Sequence, residues 1–194
     1  AVVTTTAVTG SQATAVTENQ AGETAGTAVN LNLTGPQADP YEVVTKLVID
    51  APTAAQGTLT YNGQTLAIVN GKITITDAAG IDSSKLVFTP TEYWSGQYKP
   101  NFTATVEDTK SGATKENLTG SVTITVTGQA STPDNVEITG SGSFSVDHGS
   151  FTLPVKADFP DITGEAHYIL IAAVAGLNVE GGTLVDGAAY GLTG

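Results

Sequence analysis

The stretch GTLTYNGQTLAIVNGKITIT, residues 57–76, decides the fold class. Two Asn-Gly pairs, Asn62-Gly63 and Asn70-Gly71, interrupt runs of Thr, Leu, Ile, Val and Tyr. A two-residue hairpin loop needs positive φ at both central positions, which Asn and Gly tolerate, while β-branched and aromatic residues suit a pleated surface. The stretch therefore predicts tight type I′ hairpins in a meander from Gly57 to Thr76.

The same pattern extends outward in both directions. Ala28–Leu33, Lys72–Thr76 and Ser121–Val126 alternate apolar and polar residues with period 2, as half-buried strands do. Lys85–Thr89 and Gln97–Glu107 supply further strands around a loop from Pro90 to Gly96. Capped runs of helical period are missing. The regular turn signals predict an all-β fold: an antiparallel immunoglobulin-like β-sandwich of about seven strands, with Tyr93 and Trp94 closing one end of the core.

Composition narrows the function classes. The chain has 194 residues, 7 Lys+Arg against 19 Asp+Glu, and a formal net charge of −12. Such a chain cannot build the basic stripe that displaces counterions from nucleic acid, and an anionic membrane surface is an equally poor partner. The longest apolar run, Tyr168–Leu177, is too short for direct membrane insertion, which takes about 20 residues. With no Cys there is no disulfide framework, thiolate metal site or thiol nucleophile. With no Met there is no initiator, so the chain is expected to be an internal fragment or a processed product.

The chain repeats itself. Val8-Thr9-Gly10 returns as Val126-Thr127-Gly128, Ala28–Leu33 as Ser150–Val155, Asp39 and Glu42 as Asp161 and Glu165, and Gly57-Thr58-Leu59 as Gly182-Thr183-Leu184. Matched order across several landmarks indicates tandem units with small insertions in loops. The expected organisation is a closing strand or linker from a preceding unit over 1–12, one complete sandwich over 13–128, and the first half of a second, incomplete repeat over 129–194. Half a sandwich exposes strand edges, so either the parent continues, another domain is inserted, or a shorter sheet closes by itself.

Several segments come in a telling order: Ala38-Asp39-Pro40-Tyr41-Glu42, Lys46-Leu47-Val48-Ile49, Gly57-Thr58-Leu59, Leu86-Val87-Phe88-Thr89-Pro90, Tyr93-Trp94-Ser95-Gly96, Thr103-Ala104-Thr105-Val106-Glu107 and Ile124-Thr125-Val126-Thr127-Gly128. This order resembles the tandem immunoglobulin-like, cadherin-like repeats of giant bacterial surface adhesins, the RTX and biofilm-associated type secreted by the type I route. Pro40-Tyr41 replaces the Asp-Gly of the family's acidic turn. The resemblance implies a non-catalytic extender at the cell surface, its partners being neighbouring repeats and, through other domains, host or biofilm surface ligands. It also implies stiffening by Ca2+, and an acidic chain has reason to bind hard cations.

Calcium takes six to eight oxygens, so loop clusters of Asp, Glu and Asn are the signal to seek. One cluster joins Asp39 and Glu42 to Glu107, the acid that ends the family's matching strand, with Asp108 beside it. A second pairs Asp134-Asn135, in the linker between units, with Glu18-Asn19 at the equivalent upstream junction. A third, Asp161 and Glu165, repeats the first. The plain alternative for each is an acidic residue solvating a turn. Catalysis finds little support: Asp147, His148 and Ser150 share one tight turn, and His167 lies far from them in sequence. Tyr41, Tyr61, Tyr93, Trp94 and Tyr98 could present faces to a sugar in a ligand-binding module, or be core and edge residues.

Overall fold

A computed structural model describes residues 2–36, 39–131, 135–138 and 155–160. The chain divides into two compact units, 1–164 and 165–194, and the second lies outside the described residues. So do Tyr168–Leu177 and the turn holding Asp147, His148 and Ser150. The described strands are β1 (Ala7–Gln12), β2 (Val16–Thr17), β3 (Thr27–Thr34), β4 (Glu42–Asp50), β5 (Gly57–Tyr61), β6 (Gln64–Thr65), β7 (Ile68–Val69), β8 (Lys72–Thr76), β9 (Leu86–Pro90), β10 (Gly96–Tyr98), β11 (Asn101–Asp108), β12 (Ala113–Ser121), β13 (Ile124–Thr127), β14 (Asn135–Ile138) and β15 (Val155–Asp158). One 3-10 turn, Ser83–Lys85, precedes β9.

The result is an all-β sandwich. One sheet has the order β1-β3-β9-β5-β6, a second β12-β11-β4-β8-β7, and a smaller one β10-β13-β2. Alternation sets their inner faces: Leu47, Ile49, Phe102 and Val106 from one large sheet share a core with Val29, Leu59, Leu86 and Phe88 from the other. The ring of Phe88 stacks on Tyr98 at 4.9 Å and meets Trp94 edge-on at 6.1 Å. Tyr98 and Trp94 therefore do help close the core, while Tyr93 sits at positive φ in the adjoining loop.

Both Asn-Gly pairs make the expected turns. Asn62 and Gly63 have φ of 51° and 73°, Asn70 and Gly71 of 51° and 74°, and each links strands directly across two residues. The stretch is not one meander, however. β5 and β6 belong to the first large sheet and β7 and β8 to the second, so the chain crosses the sandwich at Leu66-Ala67.

Two other runs expected to be continuous are broken. Gln97–Glu107 is interrupted at Lys99-Pro100, where proline has no N–H for the ladder. Ser121–Val126 breaks opposite it, at Val122-Thr123, and the Val122 amide donates to the Pro100 carbonyl at 3.1 Å. These paired breaks hand β10 and β13 to the small sheet while β11 and β12 stay in the large one.

Residues 1–12, read above as a closing strand or linker of a preceding unit, are built into this sandwich. β1 pairs antiparallel with β3 over six residues, and Val3 and Val8 are buried in the shared core. Val126-Thr127, matched above to Val8-Thr9, lie instead in β13, between β10 and β2. The better counterpart of β1 is β14. β14 and β15 pair antiparallel with Ile138 opposite Val155, just as Val8 lies opposite Leu33, and Ile138-Thr139-Gly140-Ser141 repeats Val8-Thr9-Gly10-Ser11.

Candidate functional site

Strand directions place the start of the N-terminal segment and the exit of the closing strand at opposite ends of the sandwich. β1 runs antiparallel to β3, starting beside Thr34 and finishing beside Val29, and the chain continues past Ala28 and Thr27 into β2. β13 runs parallel to β2. The N-terminal segment therefore traverses the sandwich lengthwise, and the closing strand leaves from the end the segment has reached. Each end is organised around a buried glutamate.

At the N-terminal end stands Glu42, the first residue of β4 and only 6% exposed. Its Oε1 accepts hydrogen bonds from the Thr4 amide and, at 2.8 Å, from Thr4 Oγ1. Its Oε2 accepts from the Thr5 amide at 2.9 Å and from Thr5 Oγ1. Burial alone would push this carboxyl up, but the four threonine donors outweigh it and hold its pKa at about 2. Charge-assisted bonds of this kind are the strong ones, and here they tie the N-terminal segment to the start of β4. Lys115 adds a bond from Nζ to the Thr5 carbonyl at 2.9 Å.

The expected calcium set is not assembled around Glu42. β4 and β11 place Glu42 opposite Asp108 and Val43 opposite Glu107, so Glu42 and Asp108 face inward while Glu107 faces outward from the same sheet. Asp39 accepts from the Tyr41 amide at 2.9 Å, an Asx turn that leads into β4. Asp108 Oδ1 accepts from the amides of Lys110 and Ser111 at 2.9 and 3.1 Å, and these bonds overcome burial to hold its carboxyl below the usual range. The register thus sends the Glu42 and Glu107 carboxyls to opposite faces of the sheet. Among the described residues no three His, Asp or Glu side chains converge as metal ligands.

At the C-terminal end Glu18 and Asn19 are each 1% exposed. The Glu18 amide donates to the Thr127 carbonyl at 2.8 Å, and its Oε1 accepts from the Gln129 amide at 3.0 Å and from Gln20 Nε2 at 3.2 Å. Asn19 Nδ2 donates to the carbonyls of Ala25 and Pro90 at 3.1 and 3.0 Å, and its Oδ1 accepts from the Ala25 amide at 2.8 Å. This pair fastens the loop after β2 to the Pro90 loop and to the departing chain. Of its expected junction partners, Asn135 opens β14 and Asp134 lies outside the described residues, as do Asp161, Glu165 and His167.

The residues missed in the sequence are Thr4, Thr5 and Gln12. Gln12 ends β1, and its amide spans the gap to the closing strand: Oε1 accepts from the Thr125 amide at 2.9 Å, and Nε2 donates to the Thr125 carbonyl at 3.2 Å. Only the tertiary fold brings these groups together, because each partner lies dozens of residues away.

A groove of about 480 Å³ lies on β4, β8, β11 and β12, lined by Lys72, Asn101, Thr103, Thr119 and Ser121 together with Val48, Gly120 and the buried Phe102. Beside it Asp50 binds Lys72 and Asn101, the ammonium first and the Asn101 amide second holding its carboxyl down. No aromatic platform for a sugar forms there. Tyr98 is buried, and Tyr61 donates its hydroxyl to Asp77 at 2.9 Å. Tyr41 is 48% exposed at the N-terminal end, with Lys110 Nζ 5.2 Å from its ring centroid. Among the described residues no helix is long and apolar enough to cross a membrane. Comparison with known proteins finds no matching family, no matching curated protein and no matching solved structure.

Proposed function

We propose that the chain is a non-catalytic extender module of a bacterial cell-surface adhesin, an immunoglobulin-like spacer that projects binding domains for adhesion or biofilm formation. The observation that carries this reading is the lengthwise course of the N-terminal segment. The chain is received at one end of the sandwich by Glu42 and released at the other beside Glu18. A module threaded this way adds its full strand length, about 25 Å for eight residues, to any array in which it is repeated. The acidic surface keeps neighbouring copies apart. Calcium, expected from the resemblance, is not assigned to Asp39, Glu42 and Glu107.

Displaying one to four tandem copies beneath a foreign binding domain on a bacterial surface tests the proposal. Adhesion should rise with copy number, and the copies without the binding domain should adhere to nothing. Adhesion by the bare copies would overturn it. That outcome would favour the second reading, a sugar- or peptide-binding module, for which the groove at Lys72 and Asn101 is the site to examine by glycan titration.

A further inference from the structure

We infer that residues 12–18 and 124–129 form a load-bearing seam, through which tension between adjoining repeats passes directly from one terminal strand to the other. The purpose of the seam rests on the extender reading, but its mechanics rest on the geometry alone.

The seam is continuous along the closing strand. Gln12 binds both the amide and the carbonyl of Thr125 through its side chain, acting as a rung where β1 has turned away toward β3. The parallel pairing of Val16 with Val126 and Thr17 with Thr127 follows. The Glu18 amide then binds the Thr127 carbonyl, and the Glu18 carboxylate binds the Gln129 amide. Thr125, Thr127 and Gln129 of the departing chain are thus held in turn by Gln12, the β2 pairing and Glu18.

Direction decides what this does under load. Tension pulls the N-terminal segment toward the Glu42 end and the closing strand toward the opposite end, so the two parallel segments slide past one another. Ladder hydrogen bonds cross between strands, and sliding strains the whole set together, whereas peeling from one end breaks them in turn. Forced unfolding is governed by the unfolding barrier, which a set of bonds that must fail together raises. The same pull also loads the threonine bonds to Glu42 and the β1–β3 ladder upstream of the seam. The Gln12 amide is only partly buried and adds two bonds to the number that share the load.

The test is single-molecule pulling on the full chain, which has no native cysteine to compete with introduced handles. Handles at Val2→Cys and Ala130→Cys load the seam lengthwise, and handles at Thr24→Cys and Ala130→Cys pull β2 off β13 from its end. The first geometry should need clearly more force than the second. In the first, Gln12→Ala should raise the unfolding rate at fixed force by roughly tenfold or more, the expected effect of losing its two bonds to Thr125 together with the local bond from Nε2 to the Thr14 carbonyl. Tyr61→Phe, which loses the bonds to Asp77 and from the Asp82 amide away from the seam, should leave the rupture force unchanged. Equal forces in the two geometries, or a Gln12→Ala rupture force equal to that of the unmodified chain, would overturn the seam. Failure of the extender reading would show separately, as adhesion that ignores copy number.

Discussion

Glu42 holds the N-terminal segment only while it is charged. Its carboxyl titrates near 2 in the folded chain against an ordinary 4.5, so the stability it contributes is fully present above about pH 4.5 and is lost as pH falls toward 2. The amount is on the order of 2–3 kcal/mol. Urea unfolding at pH 7 and pH 3 should show Glu42→Gln much less stable than the parent at pH 7, with the gap reduced to roughly half or less at pH 3, because the glutamine carries no titrating group and sets an amide N–H against threonine donors. A Gln variant with the parent's full acid sensitivity would rule this out. Asp50, Asp82 and Asp108 are also held low and leave a residual slope. The sequence marked Glu42 as unusual but did not show the threonines that bind it. Glu107 was joined to it by strand endings, whereas strand register puts Asp108 there and the fold brings Thr4 and Thr5 from the chain's start.

At the level of elements, alternation was legible wherever a strand has one buried face. Lys72–Thr76 forms β8 with the expected bounds, and Ala28–Leu33 lies within β3. What periodicity could not show was the sheet to which each strand goes. Pro100 was readable as an interruption, since it cannot donate to a ladder, but the matching break at Val122 follows from its tertiary position opposite that proline. Close approach between sheets was equally hidden. A Cβ on Gly120 would lie 2.4 Å from both the Val8 carbonyl oxygen and Phe102 Cζ. Gly120→Ala should therefore push β12 away from β1 and cost about 2 kcal/mol or more, measured as a lower midpoint in guanidinium with an unchanged slope. A midpoint equal to the parent's would show that β1 yields freely.

At the scale of the whole molecule, the opposite facing of Glu42 and Glu107 yields a prediction about calcium. Glu107→Ala should leave any calcium-induced rise in melting temperature intact, while Glu42→Gln lowers the melting temperature by the same amount in millimolar calcium and in chelator. Loss of a calcium response in Glu107→Ala would restore the set first expected. The landmarks that suggest a repeat keep their order in the sequence, but short Val-Thr-Gly segments recur in strands with different partners, so their phase was ambiguous. The pairing of Ile138 with Val155 supplies the phase that the residues alone left ambiguous.

The strands that border the two large sheets on one side, β6 and β7, are each two residues long and end at an Asn-Gly turn. Ile68 and Val69 are exposed there, 57% and 64%, and would be an invitation to aggregate on a longer strand. Tandem copies of one sequence hold each other at effective concentrations near millimolar, where the commonest error is for a strand to join its neighbour's sheet instead of its own. A border of two residues offers too few backbone groups to nucleate that exchange. In the array proposed above, brevity at these margins would let tandem copies fold beside one another and remain separate.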